Sequence, residues 1–275
     1  MIRSGLIGRS ILASRSPWLH EQEARAQGLE LTYELFDFSD RGWADEQLPA
    51  VIHRLRDQGF AGFNVTYPFK QAIIPHLDEL GESARIAGAV NTVAIRDGRL
   101  TGHNTDMSGF AEGFRQGLPD ARMDHVIQIG CGGAGAAVAS ALIGLGVGLL
   151  ELVELDVSRA QALADRLNAV GKGKVVATSP ADLSTADADG IVNATPVGMA
   201  SHPGLPITAE AIAPHHWVAD VIYFPLETQL LAVARAKGCR TLNGIGMVVN
   251  QAAQAFSFIT GHEADATRMR LGLGL

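Results

Sequence analysis

Short apolar runs alternate with helical patterns along nearly the whole chain, and that alternation sets the first expectations. Leu6-Ile7 reads as a strand, and Ser16-Pro17 as a helix start with Ser16 as N-cap and Pro17 at the first helical position. Residues 33–38 read as a strand, and residues 46–58 have helical periodicity that Gly59 ends. Residues 63–66 form a buried strand pattern. Residues 92–95 and 100–101 flank Asp97-Gly98, which predicts a hairpin. Strand-helix-strand order implies a mostly parallel sheet with that hairpin as its antiparallel part.

A second unit begins near Asp106. Residues 105–115 read as a connecting helix, and 117–124 as a polar, turn-rich entry. Strands are then expected at 126–129, 149–155, 175–177, 191–193 and 217–222, with helices at 134–145 and 159–170. That is a doubly wound α/β pattern. Residues 246–260 form a long apolar-rich helix expected to return towards the first unit. The division is therefore 1–105, with 246–275 packing back on it, and 106–245.

Composition narrows the class without changing the fold. A 47% hydrophobic content in 275 residues supports a substantial core. The longest apolar run, residues 138–152, is broken by glycines and reads as a helix followed by a strand, short of a membrane span. The N-terminus lacks the apolar stretch and cleavage site of a signal peptide, so a cytoplasmic protein is expected. A net charge of −7 argues against broad nucleic-acid binding, while a few local donors still suffice for one anionic small molecule. The two cysteines, Cys131 and Cys239, fit a reducing compartment and make no zinc pair. The histidines show no metal-ligand spacing, so no metal is expected; His20 reads as a helix-packing residue and His103 as a loop or strand residue.

Candidate chemistry starts at Gly130-Cys131-Gly132-Gly133-Ala134-Gly135, which follows a strand and precedes a helix. Gly130 allows the tight turn, Gly132 and Gly133 let backbone approach a pyrophosphate, and Gly135 allows close helix-sheet contact. The exposed amides and helix dipole favour anionic phosphates. The alternative is a tight turn with no ligand. Past the second strand stands Glu154-Leu155-Asp156-Val157-Ser158-Arg159. Asp156 lies 26 residues beyond Gly130, where a carboxylate can accept hydrogen bonds from the ribose of NAD and repel the extra phosphate of NADP. Arg159 pulls the other way, as a guanidinium suited to that phosphate, to the adenine face, or to water. NAD is the favoured cofactor.

Lys70 follows Tyr67-Pro68-Phe69 at the carboxyl end of a buried strand. Partial burial favours the neutral amine that proton abstraction needs, and a neighbouring carboxylate opposes it. The alternative is a helix-start surface lysine. Asp106, in Asn104-Thr105-Asp106, sits where the first unit hands over to the second, the place expected for a cleft. It suits a proton-transfer partner, and equally a helix N-cap. Ser14 and Ser16, at a helix N-terminus, suit a carboxylate, or capping alone.

These pieces together resemble the shikimate/quinate dehydrogenase family over nearly the full chain. The resemblance rests on Ser14-Arg15-Ser16-Pro17, Asn64-Val65-Thr66-x-Pro-x-Lys70, Gly88-Ala89-Val90-Asn91-Thr92 and Gly102-x-Asn104-Thr105-Asp106. The glycine turn, Asn193-Ala194-Thr195-Pro196-x-Gly198-Met199 and residues 246–251 complete it. It implies an N-terminal α/β substrate domain with a mostly parallel sheet, and a doubly wound Rossmann dinucleotide-binding domain. It implies reversible oxidation of a ring hydroxyl of shikimate or quinate, with Lys70 as acid-base group and Asp106 beside it. Ser14 and Ser16 would bind the carboxylate, Thr66, Asn91, Asp106 and Gln251 the ring hydroxyls, and Tyr223 would lie near both carboxylate and nicotinamide. Asn193, Thr195, Pro196, Met199 and Gly246 would line the cofactor.

Two positions depart from the NADP-using biosynthetic pattern of that family. It resembles Asn-Arg-Thr after the second Rossmann strand, where this chain has Leu155-Asp156-Val157. Tyr67 replaces a commonly smaller residue, as in the quinate/shikimate branch, whereas Ser16 resembles shikimate-preferring members more than quinate-preferring ones with threonine. The expected partner is a cyclic polyol carboxylate, with an amino-substituted analogue, an NADP-dependent enzyme and a non-catalytic dinucleotide sensor as alternatives. Monomer and homodimer both remain open.

Overall fold

The computed structural model describes residues 1–169 and 173–272. By internal contacts the chain forms two compact units, Met1–Thr105 with Val249–Leu275, and Asp106–Val248. Among the described residues no helix is long and apolar enough to cross a membrane.

In the first unit the elements are β1 (Ile2–Gly8), α1 (Ser16–Ala26), β2 (Leu31–Asp37), α2 (Leu48–Asp57), β3 (Gly62–Val65) and α3 (Phe69–Ala72). Next come β4 (Glu79–Leu80), α4 (Glu82–Ala87), β5 (Thr92–Arg96) and β6 (Arg99–His103). They build a six-stranded sheet in the order β2-β1-β3-β5-β6-β4. β1 pairs parallel with β2 and β3, and β4 with β6, whereas β3–β5 and β5–β6 are antiparallel. The β5–β6 hairpin turns at Asp97 and Gly98, whose φ values of 52° and 75° are those a type I′ turn needs. The core is built by Ile7, Phe36, Phe38, Ile52, Leu55, Phe63 and Phe69.

The second unit is doubly wound. After α5 (Thr105–Gly117) it runs β7 (His125–Ile129), α6 (Gly133–Leu145), β8 (Leu149–Val153), α7 (Val157–Ala169), β9 (Lys174–Thr178), β10 (Gly190–Asn193), β11 (Trp217–Asp220), α8 (Gln229–Ala236) and β12 (Arg240–Leu242). All five pairings are parallel, in the order β12-β11-β10-β7-β8-β9. Neighbouring strand residues face opposite sides: Val126 and Val192 enter one core, with Phe114, Leu142 and Leu163, and Ile127 and Ile191 enter the other, with Leu230 and Leu231. Burial on both faces explains the unbroken apolar runs of these strands. α9 (Ile245–Thr260) and α10 (Ala266–Gly272) close the chain.

Several boundaries differ from expectation. Arg15, not Ser16, occupies the N-cap of α1, and no side chain caps it; Ser16 therefore takes the first helical position and Pro17 the second, one later than expected. The helix expected over residues 46–58 opens as a 3-10 turn at Asp45–Gln47 and becomes α-helical only at Leu48, with Pro49 in its first turn. The second Rossmann strand stops at Val153, because Glu154 turns its carboxylate onto backbone amides. The last residue of the helix expected over 159–170, and the end of the segment expected over 246–275, lie outside the described residues. β4, β12, α4 and α8 carried no readable signal. β4 and β12 span only two and three residues, too few for a period to register.

Candidate active site

The glycine-rich turn is built by close backbone packing. Gly130 has φ 99°, and a Cβ there would meet the Ala194 carbonyl oxygen at 2.9 Å. A Cβ on Gly135 would lie 2.2 Å from the Gly130 carbonyl oxygen. Gln128, from β7, clamps the turn by donating to the carbonyls of Gly130 (2.9 Å) and Gly135 (2.8 Å). Gly132, at the N-cap of the 13-residue α6, has no heavy atom within 4 Å of where a Cβ would stand. Gly133 and Ala134 open that helix. The open backbone at a helix N-terminus fits a pyrophosphate.

Glu154, directly after β8, accepts a hydrogen bond from Cys131 N–H at 2.9 Å. Asp156 is exposed and directly precedes α7, its Oδ1 accepting from Ser158 Oγ (2.6 Å) and N–H (3.1 Å). Those bonds, Ser158 Oγ foremost, hold its carboxyl below the ordinary range. Arg159 is exposed one turn on, its N–H bonded to the Asp156 carbonyl at 3.0 Å. Burial, then the Glu154 carboxylate, push the Cys131 thiol up to about 12, so it is a packed, inert thiol.

The loop after β10 is organised by Asn193. Its Oδ1 accepts from Thr195 N–H (3.0 Å) and Oγ1 (2.7 Å), and its Nδ2 donates to Val197 O (3.0 Å) and Asp220 Oδ1 (3.1 Å). The fully buried amide is thereby spent on shaping the segment that carries Thr195, Pro196 and Met199. Asp220, at the end of β11, also accepts from Thr228 Oγ1 at 2.7 Å, and Thr228 caps α8. Burial pushes the Asp220 carboxyl up, against these bonds. Met199 and Tyr223 are 40% and 44% exposed, large apolar surfaces available to a ligand. Gly246, in the first turn of α9, lies against Gly113 of α5, where a Cβ would come within 3.0 Å of the Gly113 Cα.

In the first unit, Ser14 and Ser16 are half-buried before and at the start of α1. The Ser14 hydroxyl lies 3.2 Å from both the Ser16 hydroxyl and the Ser16 N–H. Thr66 and Lys70 leave β3 in a tight segment: Thr66 N–H donates to Ile7 O (2.9 Å), Phe69 N–H to Thr66 O (2.9 Å), and Lys70 O accepts from Val90 N–H (2.7 Å). The Tyr67-Pro68 peptide between them is cis. The last contact ties the lysine turn to the strand entry carrying Asn91. Asn91 Oδ1 accepts from Thr105 N–H at 2.8 Å, and Thr105 Oγ1 reaches Gln251 Oε1 of α9 at 3.4 Å. Asp106 stands in the first turn of α5.

His20 is enclosed between Tyr33 (4.7 Å) and Phe256 (6.0 Å), and burial lowers its pKa to about 3. It stays neutral and packs. His103 ends β6 and stacks on Phe258 at 3.9 Å. Glu154, Asp220 and Thr228 were not singled out from the sequence. Their roles depend on partners 23, 27 and 8 residues away. For Glu154 one signal existed, an acid directly after a Rossmann strand.

Comparison with known proteins agrees with this architecture. Residues 6–93 match the shikimate dehydrogenase substrate binding domain, and residues 244–270 the shikimate 5′-dehydrogenase C-terminal domain. A shikimate dehydrogenase (NADP+) of Streptomyces avermitilis is 53% identical over 268 residues, 96% of this chain and 92% of that protein. A quinate/shikimate dehydrogenase (NAD+) of Corynebacterium efficiens is 50% identical over 271 residues, 97% of this chain and 95% of that one. The structure of quinate dehydrogenase from Corynebacterium glutamicum in complex with NAD superposes with a TM-score of 0.93 at 47% identity, covering 100% and 99% of the two chains. The chain therefore belongs to the shikimate/quinate dehydrogenase family, and it is an oxidoreductase acting on a CH–OH group.

Proposed function

We propose that this protein is an NAD-dependent shikimate dehydrogenase that also accepts quinate, catalysing reversible oxidation of the ring 3-hydroxyl. The nicotinamide, when bound, supplies the hydride acceptor. The unit of residues 1–105 and 249–275 supplies Lys70 and most of the substrate groups, and residues 106–248 supply the dinucleotide groups together with Asp106 and Tyr223. Lys70 takes the hydroxyl proton during oxidation and returns it during reduction. Asp106 accepts a hydrogen bond from a ring hydroxyl. Ser14 and Ser16 donate to the substrate carboxylate at the start of α1, where the helix dipole adds to the attraction. Thr66, Asn91 and Gln251 hold the remaining hydroxyls, and Tyr223 packs near carboxylate and nicotinamide.

On the cofactor side, Gly130, Gly132, Gly133, Ala134 and Gly135 cradle the pyrophosphate, and Asn193, Thr195, Pro196, Met199 and Gly246 line the nicotinamide half. The observation that carries the choice of NAD is Asp156. It is an exposed, ionised carboxylate three residues after β8, with Oδ1 spent on Ser158 and Oδ2 left for ribose hydroxyls. Its charge repels a 2′-phosphate. Arg159 beside it, and the NADP+-linked name of the Streptomyces relative, support the runner-up reading of an NADP-dependent enzyme.

An initial-rate grid of shikimate and quinate, each with NAD and NADP, tests the proposal by reduced-nicotinamide absorbance. Turnover with NAD is expected, with shikimate the better substrate because position 16 is serine. Turnover with NADP alone reverses the reading of Asp156. No turnover in any combination, with NAD still bound, points to an amino-substituted substrate or to a sensor.

A further inference from the structure

The buried polar chain behind Asn91 has a direction, and that direction dictates what Asn91 can offer a ligand. Tyr33, Asn64, Asn91 and Thr92 are all buried. The Thr105 N–H lies 2.8 Å from one end of the Asn91 amide. A backbone N–H can only donate, so that end is Oδ1. Asn64 is fixed by the same logic: its amide reaches the Asn91 backbone carbonyl at 3.2 Å, and a carbonyl can only accept, so Nδ2 faces it. Asn64 Oδ1 then receives the Tyr33 hydroxyl proton at 2.8 Å. Asn64 Nδ2 also donates to Thr92 Oγ1 at 3.0 Å, and the Thr92 hydroxyl has Asn91 Oδ1 at 3.1 Å as its nearer acceptor, ahead of Thr105 Oγ1 at 3.3 Å.

The shortest contacts therefore run one way, from Tyr33 through Asn64 and Thr92 into the Asn91 carbonyl. That oxygen already receives Thr92 and the Thr105 amide. Of the two Nδ2 hydrogens, one goes to Thr105 Oγ1 at 3.0 Å. The other is the polar group of this side chain left for a ligand.

We propose that Thr92, held by Asn64 and Tyr33, is a positioning residue that locks the Asn91 amide so that it meets the substrate only as a hydrogen-bond donor. The inference rests on the reading that Asn91 contacts a ring hydroxyl. It deepens that reading into a specificity rule. A hydroxyl can accept from Asn91 and keep its own hydrogen for another group. A protonated amine at the same ring position has no lone pair to accept with and is rejected. Flipping the amide to suit it would point the NH2 group at the Thr105 N–H and the Thr92 proton, leaving buried donors unpaired.

Thr92→Val and Thr92→Ser separate this role from packing, because valine keeps the shape and loses the hydroxyl, whereas serine does the opposite. Thr92→Val is expected to raise the KM for shikimate or quinate about tenfold, the loss of one buried hydrogen bond. The kcat and the dinucleotide KM should stay within about twofold, the pattern of lost uniform binding. Thr92→Ser should keep a KM near that of the wild type. The reverse order, serine impaired and valine normal, assigns Thr92 to packing and overturns the proposal. If Thr92→Val does not fold, Tyr33→Phe keeps the ring against His20 and removes the first hydrogen of the chain. A raised polyol KM there supports the proposal, and an unchanged one overturns it. A wild-type enzyme silent toward both acids overturns the functional reading and this inference with it; an active wild type with normal variants overturns this inference alone.

Discussion

The Glu154 carboxylate accepts the Cys131 backbone N–H at 2.9 Å and, through its other oxygen, the Leu155 N–H at 2.9 Å. The end of β8 is thus bonded to the glycine-rich turn after β7. The role is distinct from that of Asp156 two residues later, which faces solvent. A hydrogen bond to a charged group contributes about 1.5–3 kcal/mol. Glu154→Ala is expected to raise the dinucleotide KM at least about tenfold while leaving the polyol KM unchanged. Equal effects on both, or none, would show that the turn is held without this bond.

Lys70→Ala is expected to abolish turnover while leaving NAD affinity, measured by calorimetry, nearly unaltered. Turnover near the wild-type level in that variant would remove Lys70 from the mechanism.

Asp156→Ala is expected to narrow the preference for NAD over NADP. The ratio of kcat/KM for the two nucleotides reads this directly. The carboxyl is held below its ordinary value, so its repulsion of a 2′-phosphate is fully present at neutral pH and disappears only in acid, as pH falls through that lowered value. An unchanged ratio would show that the ribose is recognised elsewhere.

Both thiols are buried, and burial raises each above its ordinary pKa, Cys131 to about 12. In native protein at pH 8, neither should react with iodoacetamide on the timescale of a free thiol, and both should react once the chain is unfolded. Rapid native alkylation of Cys131 would show that the glycine-rich turn opens.

Glu23 anchors α10 to α1. Burial alone pushes its carboxyl up, but the Arg268 guanidinium, the Asp265 N–H and the Gln27 amide together bring it below the ordinary 4.5. Arg268 binds it through two nitrogens, at 2.5 and 2.8 Å. Arg268→Met leaves a buried carboxylate short of its cation. The half-exposed guanidinium is partly screened by water, so the variant is expected to unfold at a lower denaturant concentration without losing the fold. Because the folded pKa is depressed, this contribution is present above the unfolded value of 4.5 and is lost as pH falls through the folded value. The difference between wild type and variant should therefore shrink in acid. A difference independent of pH would assign the loss to packing of the arginine stem.

How much of this was legible in the chain depends on the range of the interaction involved. The glycine-rich turn was readable because its requirements are local: a strand, a positive φ at Gly130 and backbone contact at Gly135 all fall within a few residues. The Asp97-Gly98 hairpin was readable for the same reason. Ser16 was misread as a cap because the favoured residue type stood one position late, and only the backbone shows that Arg15 occupies the N-cap. β4 was invisible because a two-residue strand exists only through its pairing with β6.

Periodicity and local backbone demands are enough to read from the chain its doubly wound alternation, its family motifs and the residue types available for proton transfer and anion binding. What each polar side chain does becomes visible when the chain is folded. Asn91 sits 27 residues from Asn64 and 14 from Thr105, and the direction of its amide is set by the Thr105 backbone N–H and by the Thr92 hydroxyl, which Asn64 holds from the neighbouring strand. Asn193 likewise depends on Asp220, 27 residues on. A buried hydrogen bond has a donor end and an acceptor end, and which end a residue receives is settled by its neighbours in space.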